Sequence, residues 1–484
     1  MVRCLPRVAD RCHHRAGKPT ARRSPVVVSR SPQAPDRVLV ETPDADEAAV
    51  AAAATRAGEA GREWERAGGL SRAQALAAAG ERIANASEEF TALMVDEVGK
   101  PVTEARGEAA RAVAILRYFA QQAIDPDGET LPSANPRALL YMRRRPHGVA
   151  GLITPWNFPL AIPLWKAAPA LAFGNAVLLK PAPEATALAL RLGELLSAVL
   201  PDGLFHVLPG DVEAGRAVVD NADAVSFTGS VAAGGSVAAA AAGRGVPVQA
   251  EMGGLNASIV LPDADLDSAM QQVAFAAMGY AGQKCTATSR VIAVGNEARA
   301  AEVTDALVAA VGGQRLGDPG EAETAVGPVI EEAARDAVVA AAQRAAADGA
   351  RVLVGGRAPD RSGWYVEPTV VTNAPAGSQL VTEEVFGPIT AVQSAPDASA
   401  AVRLNNAVRY GLVTSVYTRD LDAALGLVSE LDTGLVRVNA PTSGVDFWAP
   451  FGGEKSSSYG PREQGKAARE FYTSTRTFMI NPAG

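Results

Sequence analysis

Short apolar runs alternate with longer stretches rich in alanine and leucine between residues 147 and 260. Residues 148–154, 176–180, 205–209, 224–228, 246–251 and 257–261 are the runs of strand length, and helical stretches lie between them. Strands separated by helices in this way predict a parallel, doubly wound sheet, in which ligands bind past the carboxyl ends of the strands. Asn157, Lys180, Thr228 and Glu251 each fall at or just past such an end. Residues 263–437 repeat the alternation and predict a second α/β domain. Upstream, residues 44–98 read as two helices, the second opened by Leu70 as a staple residue and a capping box over Ser71 and Gln74. Asp125-Pro126-Asp127-Gly128 breaks the helical pattern, and residues 137–145 read as an extended, charged strand.

At 484 residues the chain exceeds what one core usually organises, so two or more domains are expected. Its 48% apolar and 20% charged residues are ordinary for a globular protein and allow a large core. No uninterrupted apolar run reaches the roughly 18 residues of a membrane span, and none is predicted. A formal charge of -8 argues against general nucleic-acid binding, which needs clustered lysine and arginine. Three cysteines, two of them in the first twelve residues, make no disulfide framework and fit a reducing cytoplasm. Residues 1–37 stand apart, with nine Lys and Arg against Asp10 and Asp36, a local +7 that leaves -15 for the remainder. This basic head reads as disordered or as an interaction tail, with a transit peptide or an over-long start as alternatives. Cys4, Cys12, His13 and His14 match no common zinc spacing, and no metal site is expected.

Cys285, the one cysteine beyond that head, lies in Gly279-Tyr280-Ala281-Gly282-Gln283-Lys284-Cys285-Thr286. Small and polar neighbours, with Lys284 beside it to favour the thiolate, suit a nucleophile; a buried structural cysteine is the plainer reading of the octapeptide alone. Glu251 ends a β-rich run before Gly253 and Gly254, glycines that let the backbone pass close to a ligand. Gly229-Ser230 follows a strand and opens an alanine-rich helix, whose first N–H groups face an anion.

Seven blocks agree in order and spacing: Pro155-Trp156-Asn157-Phe158-Pro159, Lys180-Pro181, Phe227-Thr228-Gly229-Ser230, Glu251-Met252-Gly253-Gly254, Gly282-Gln283-Lys284-Cys285, Glu384-Val385-Phe386-Gly387-Pro388 and Pro450-Phe451-Gly452-Gly453. On these blocks the chain resembles the aldehyde dehydrogenase superfamily from about residue 45 to residue 478. The resemblance implies an α/β fold with a Rossmann-type cofactor domain (38–124 and 146–251, with 438–465 returning to it), a second α/β catalytic domain (252–437) and a small β oligomerisation arm (125–145 and 466–484). The short strand pair with which the family begins is not visible in this sequence.

The resemblance also implies site residues. Cys285 is then the nucleophile, Asn157 with the Cys285 N–H the oxyanion hole, and Glu251 the base that activates water. Lys166 and Glu463 match a lysine and a glutamate in or near a proton path behind them. NAD or NADP is the implied cofactor, held by Ile153, Thr154, Pro155, Trp156, Lys180, Pro183, Gly229, Ser230, Gly253, Glu384 and Phe386. Relatives that prefer a free 2′-hydroxyl have an acid three positions after the lysine; Pro183 stands there, with Glu184 next, so NADP is expected to be tolerated or preferred. Leu255 replaces a lysine common among relatives, while Asn256 is retained. Phe158, Trp165 and Phe451 are expected along the aldehyde's path, with Phe447 and Trp448 near it. Residues 457–465 together with 282–290 are similar to the branch that oxidises 2-oxoglutarate semialdehyde, with an aliphatic or aromatic aldehyde as the alternative. A homodimer or homotetramer is the implied assembly.

Overall fold

The computed structural model describes residues 26–483. The chain opens with a hairpin, β1 (Val26–Ser31) against β2 (Ala34–Pro43), antiparallel. This corrects the sequence reading twice: the opening strand pair exists, and residues 26–37 of the supposed disordered head belong to it. Cys4, Cys12, His13 and His14 of the head lie outside the described residues. Helices α1 (Glu47–Asn85), α2 (Ser87–Val98) and α3 (Val102–Gln122) follow. Two helices were expected over 44–98. Instead α1 is broken at Gly68, where φ is 79°, and α2 follows it. Ser71 makes no capping bond, and the intended staple residue Leu70 is 66% exposed.

β3 (Gly128–Leu131) and β4 (Leu139–Pro146) start a small antiparallel sheet that the last strand completes. The first large sheet takes β5 (Val149–Ile153), β6 (Ala176–Lys180), β7 (Phe205–Val207), β8 (Ala224–Thr228) and β9 (Val248–Glu251), all parallel. Between them run α4 (Ala161–Ala172), α5 (Thr186–Ser197), α6 (Val212–Asn221) and α7 (Val231–Gly243). Every residue of β5, β6 and β8 is buried, as strands covered by helices on both faces must be. The approach is close: a Cβ at Gly151 would stand 2.8 Å from both Ala222 and Val218 side chains.

The sixth predicted strand, β10 (Asn256–Val260), leaves this sheet. It lies inside the second sheet, flanked by β11 (Thr288–Val294), beyond which come β14 (Ile389–Ala395), β13 (Thr369–Thr372) and the antiparallel edge β12 (Arg351–Val354). On its other side are β16 (Val413–Tyr417) and β17 (Leu435–Val438). A two-residue bridge joins β15 (Tyr410–Gly411) to β18 (Glu454–Lys455). β19 (Ser458–Tyr459) then returns to the first sheet, antiparallel to β9, with Ser458 opposite Glu251. β20 (Thr473–Ile480) pairs along the whole of β4 to close the three-stranded arm. Among the described residues no helix is long and apolar enough to cross a membrane.

Candidate active site

Cys285 follows a distorted turn, Gly279–Gly282, in which Tyr280 and Ala281 have φ of 54° and 52°. Such conformations cost free energy in non-glycine residues and persist only where the surroundings impose them. Gly282 itself is at φ 65°, and a Cβ there would run into the Gly387 carbonyl. Beyond the turn, Asn256 Nδ2 donates to the carbonyls of Cys285 and Ala287, both at 2.8 Å. Cys285 is free, and although the residue as a whole is partly exposed its thiol is enclosed. Burial, and then the charges of Glu384 and Glu251, push it up to about 12, so the resting group is a neutral thiol.

Lys284 does not do what the sequence suggested. Its Nζ pairs with Glu104 at 2.7 Å and lies over the Phe275 ring, so adjacency in the chain did not bring its charge to the sulfur.

The Pro155–Pro159 turn lies between β5 and α4. Asn157 is buried and its Nδ2 donates to the Gln283 carbonyl at 2.9 Å, two residues before the cysteine. A second N–H remains on that nitrogen, and Oδ1 has no partner. Two buried residues that the sequence reading missed hold this turn. Lys100 donates to the Asn157 carbonyl at 2.7 Å and pairs with Glu108. Glu108 accepts from Leu160 and Ala161 N–H, both at 2.9 Å, at the otherwise uncapped start of α4. No local pattern marks Lys100 or Glu108 as site residues, because the turn they hold is more than fifty positions away.

Glu251 closes β9 and is buried. Ser458, also missed, donates to its Oε2 from the facing strand, while Oε1 is unpartnered. Burial first, and the Glu463 charge second, raise the Glu251 carboxyl well above its ordinary value, against the Ser458 bond and the charges of Lys166 and Arg462. Directly behind, Lys166 is ion-paired to Glu463 and bonded to Ser226 Oγ at 2.8 Å. Trp165 Nε1 donates to the other Glu463 oxygen at 2.8 Å. Trp165 and Phe451 meet at a 41° tilt with centroids 5.9 Å apart, whereas Phe447 packs with Tyr118 and Trp448 in a separate group. The Phe158 ring lies 3.9 Å from Lys100 Nζ.

The remaining predicted residues line the carboxyl ends of the first sheet. Ile153 and Lys180 are paired last residues of β5 and β6. Burial pulls the Lys180 ammonium down, opposed by Asp211, Glu184 and Asp44. Pro183 opens the short turn Pro183–Ala185 just beyond, and burial holds Glu184 above its ordinary value. Thr154 and Thr228 hydroxyls are buried without partners. Gly229 N–H donates to the Glu251 carbonyl at 3.0 Å, and Ser230 caps α7 by accepting from Ala233 N–H at 3.3 Å. Pro155 leads into Trp156, whose ring meets Phe386 edge-on at 5.8 Å. Glu384 accepts from Gly254 N–H at 3.1 Å, and burial pushes its carboxyl up to about 7. Any Cβ at Gly253 would collide with that carboxylate. A helix N-terminus for phosphates, orphaned hydroxyls, a lysine, a carboxylate and two rings are a donor set that fits a dinucleotide.

The chain is similar to known proteins along most of its length. The model of the aldehyde dehydrogenase family matches residues 20–478. An alpha-ketoglutaric semialdehyde dehydrogenase of Bacillus subtilis is 38% identical over 89% of each chain. Two solved structures superpose over most of their length: an NADP dependent enzyme of E. coli (TM-score 0.91, 30% identity, 95% of each chain) and a betaine aldehyde dehydrogenase of Staphylococcus aureus in complex with NAD+ (TM-score 0.90, 30% identity, 94% of this chain and 92% of that one). The match runs through the strained cysteine turn, the glutamate strand and the asparagine turn alike, and the chain belongs to the aldehyde dehydrogenase family.

Proposed function

We propose that the chain oxidises an aldehyde to its carboxylic acid through a thioester on Cys285, with NAD or NADP as electron acceptor. The observation that carries this reading is the tie of Asn157 Nδ2 to the Gln283 carbonyl, which brings an amide donor beside a cysteine whose titration feels Glu251. A neutral thiol must lose its proton to react, and Glu251, made more basic by burial, accepts it. The sulfur then bonds to the aldehyde carbon, and the free N–H of Asn157 and the Cys285 N–H hold the oxyanion. Such donors are worth about 3 kcal/mol each in the transition state. A nicotinamide held beside Trp156, Phe386 and Glu384 would supply the acceptor for the hydride that this carbon gives up. Once Lys166 and Glu463 have carried the thiol's proton away, Glu251 takes a second one from water, which adds to the thioester; the C–S bond breaks, the sulfur is reprotonated and the acid leaves. Lys166 and Glu463 pass the proton onward.

The substrate we favour is a semialdehyde such as 2-oxoglutarate semialdehyde, supported by residues 457–465 and by relatives of that name. A simple aliphatic or aromatic aldehyde is the alternative. Pro183, in place of an acid, fits use of either cofactor. Residues 38–124 and 146–251, with 438–465, serve as the cofactor unit and 252–437 as the catalytic unit, while the β3–β4–β20 sheet joins subunits of a cytoplasmic homodimer or homotetramer. Reduction of NAD and of NADP across a panel of short aldehydes and semialdehydes tests the reading, with Cys285→Ala as control. Turnover that vanishes in the control is expected; undiminished turnover in the control contradicts it.

A further inference from the structure

Arg111 lies on α3 and is the one arginine among the described residues that is not fully exposed yet has neither a side-chain hydrogen bond nor an ion pair. Its Nε is buried and unpartnered. Every other partly buried arginine, from Arg72 to Arg290 and Arg437, has an acceptor. A buried N–H without a partner is costly, and native structures seldom leave one unless something else supplies the acceptor. Burial pulls this guanidinium down, with Glu108 and Asp446 acting the other way. Glu108 is committed to Lys100 and to two backbone N–H groups, and Asp446 makes no ion pair with Arg111.

Its place on the helix says what the acceptor is. Glu104, Glu108, Arg111 and Tyr118 follow one another at three- or four-residue steps or their multiples, so they share one stripe of α3. At one end Glu104 holds Lys284, next to Cys285; one turn on, Glu108 holds the Asn157 turn; at the far end Tyr118 packs on Phe447 at 5.8 Å. Arg111 stands between, about one turn past Glu108. The candidate cofactor groups stand on other elements, at or just past the ends of β5, β6 and β8 and in the loop before β14.

We infer that Arg111 binds the carboxylate at the far end of the substrate, so that the preferred substrates are aldehydes that carry a carboxylate. Nε–H and one Nη–H together form the planar fork that carboxylates accept in pairs. This inference rests on the reading of Cys285 and Asn157 as the reacting end. It gives the semialdehyde class a physical basis in this chain, and it assigns Asp446 the opposite effect, since a carboxylate there repels an incoming one.

The test compares kcat/KM for succinic semialdehyde with that for butanal, which has the same chain length without the charge. Removing one partner of a buried charged pair costs a large factor, so Arg111→Met should lower the ratio of the two by roughly 100-fold, and Arg111→Lys by less. Asp446→Asn, at an exposed position, should raise the same ratio severalfold and keeps the inference testable if the Arg111 variants fold poorly. A ratio unchanged in Arg111→Met, or unchanged in Asp446→Asn, overturns it. If Cys285→Ala still oxidises either aldehyde, the reading of the reacting end fails instead, and the inference falls with it.

Discussion

Ser458 offers a direct test of how Glu251 is tuned. Gly453 N–H donates to Ser458 Oγ at 2.6 Å, so the serine's own proton is free to point at Glu251, and it does. A hydrogen bond to a charged group is worth about 1.5–3 kcal/mol. With 1.36 kcal/mol to a pKa unit, its loss should raise the Glu251 pKa by about one to two units. The sign follows from which form the bond favours. Ser458 stabilises the carboxylate and holds a raised pKa down, so Ser458→Ala moves it further up and leaves less base at neutral pH. Deacylation should then slow by roughly 10- to 100-fold at neutral pH, recover as pH rises, and match the parent well above the shifted pKa. A pre-steady-state burst of about one NADH per subunit should accompany the slow phase, with little change in KM for the cofactor. A fall in rate of the same size at every pH would refute the reasoning, because a titration effect cannot be independent of pH.

Alkylation of Cys285 by iodoacetamide without cofactor should still be accelerating at pH 10, given a thiol pushed up to about 12, and a plateau below pH 8 would contradict this. Glu384→Gln should speed that alkylation above about pH 7, where the Glu384 carboxyl ionises and opposes the thiolate. Breaking the buried Lys100–Glu108 pair from one side should destabilise the fold by about 3–5 kcal/mol, since a charge is left unpaired. Lys100→Met combined with Glu108→Leu should therefore lose less stability in denaturant than Lys100→Met alone, and strict additivity would count against the pair. Gly253→Ala displaces the Glu384 carboxylate and should raise KM for NAD about tenfold or more, measurable beside an unchanged aldehyde KM.

The parallel strands were legible because strands buried on both faces are written as continuous apolar runs; 176–180 and 224–228 coincide with β6 and β8. The β1–β2 hairpin was not. Its buried positions in β1 are Val27, Ser29 and Ser31, so two of the three inward residues are polar, and prolines and arginines surround them. In α1 the break fell at Gly68-Gly69, which is visible in the sequence, rather than at the capping box three residues on. At the site, residues carried by backbone motifs could be named as candidates from the sequence, whereas those defined by contacts far along the chain were missed. Lys284 was misjudged for the same reason, since its partner Glu104 is 180 positions away. Ser458 reaches Glu251 across 207 positions, and Arg111 is distinguished only by what it does not touch.

The most direct test of the covalent mechanism is mass spectrometry of the Glu251→Gln variant, quenched after mixing with NAD and succinic semialdehyde. Without Glu251 the thiol ionises only to solvent and acylation slows, but deacylation stalls, so over a long incubation a Cys285 peptide carrying the succinyl group should accumulate to about one per subunit with a matching amount of NADH. Normal steady turnover with no acyl group on Cys285, or the acyl group on another residue, would contradict it.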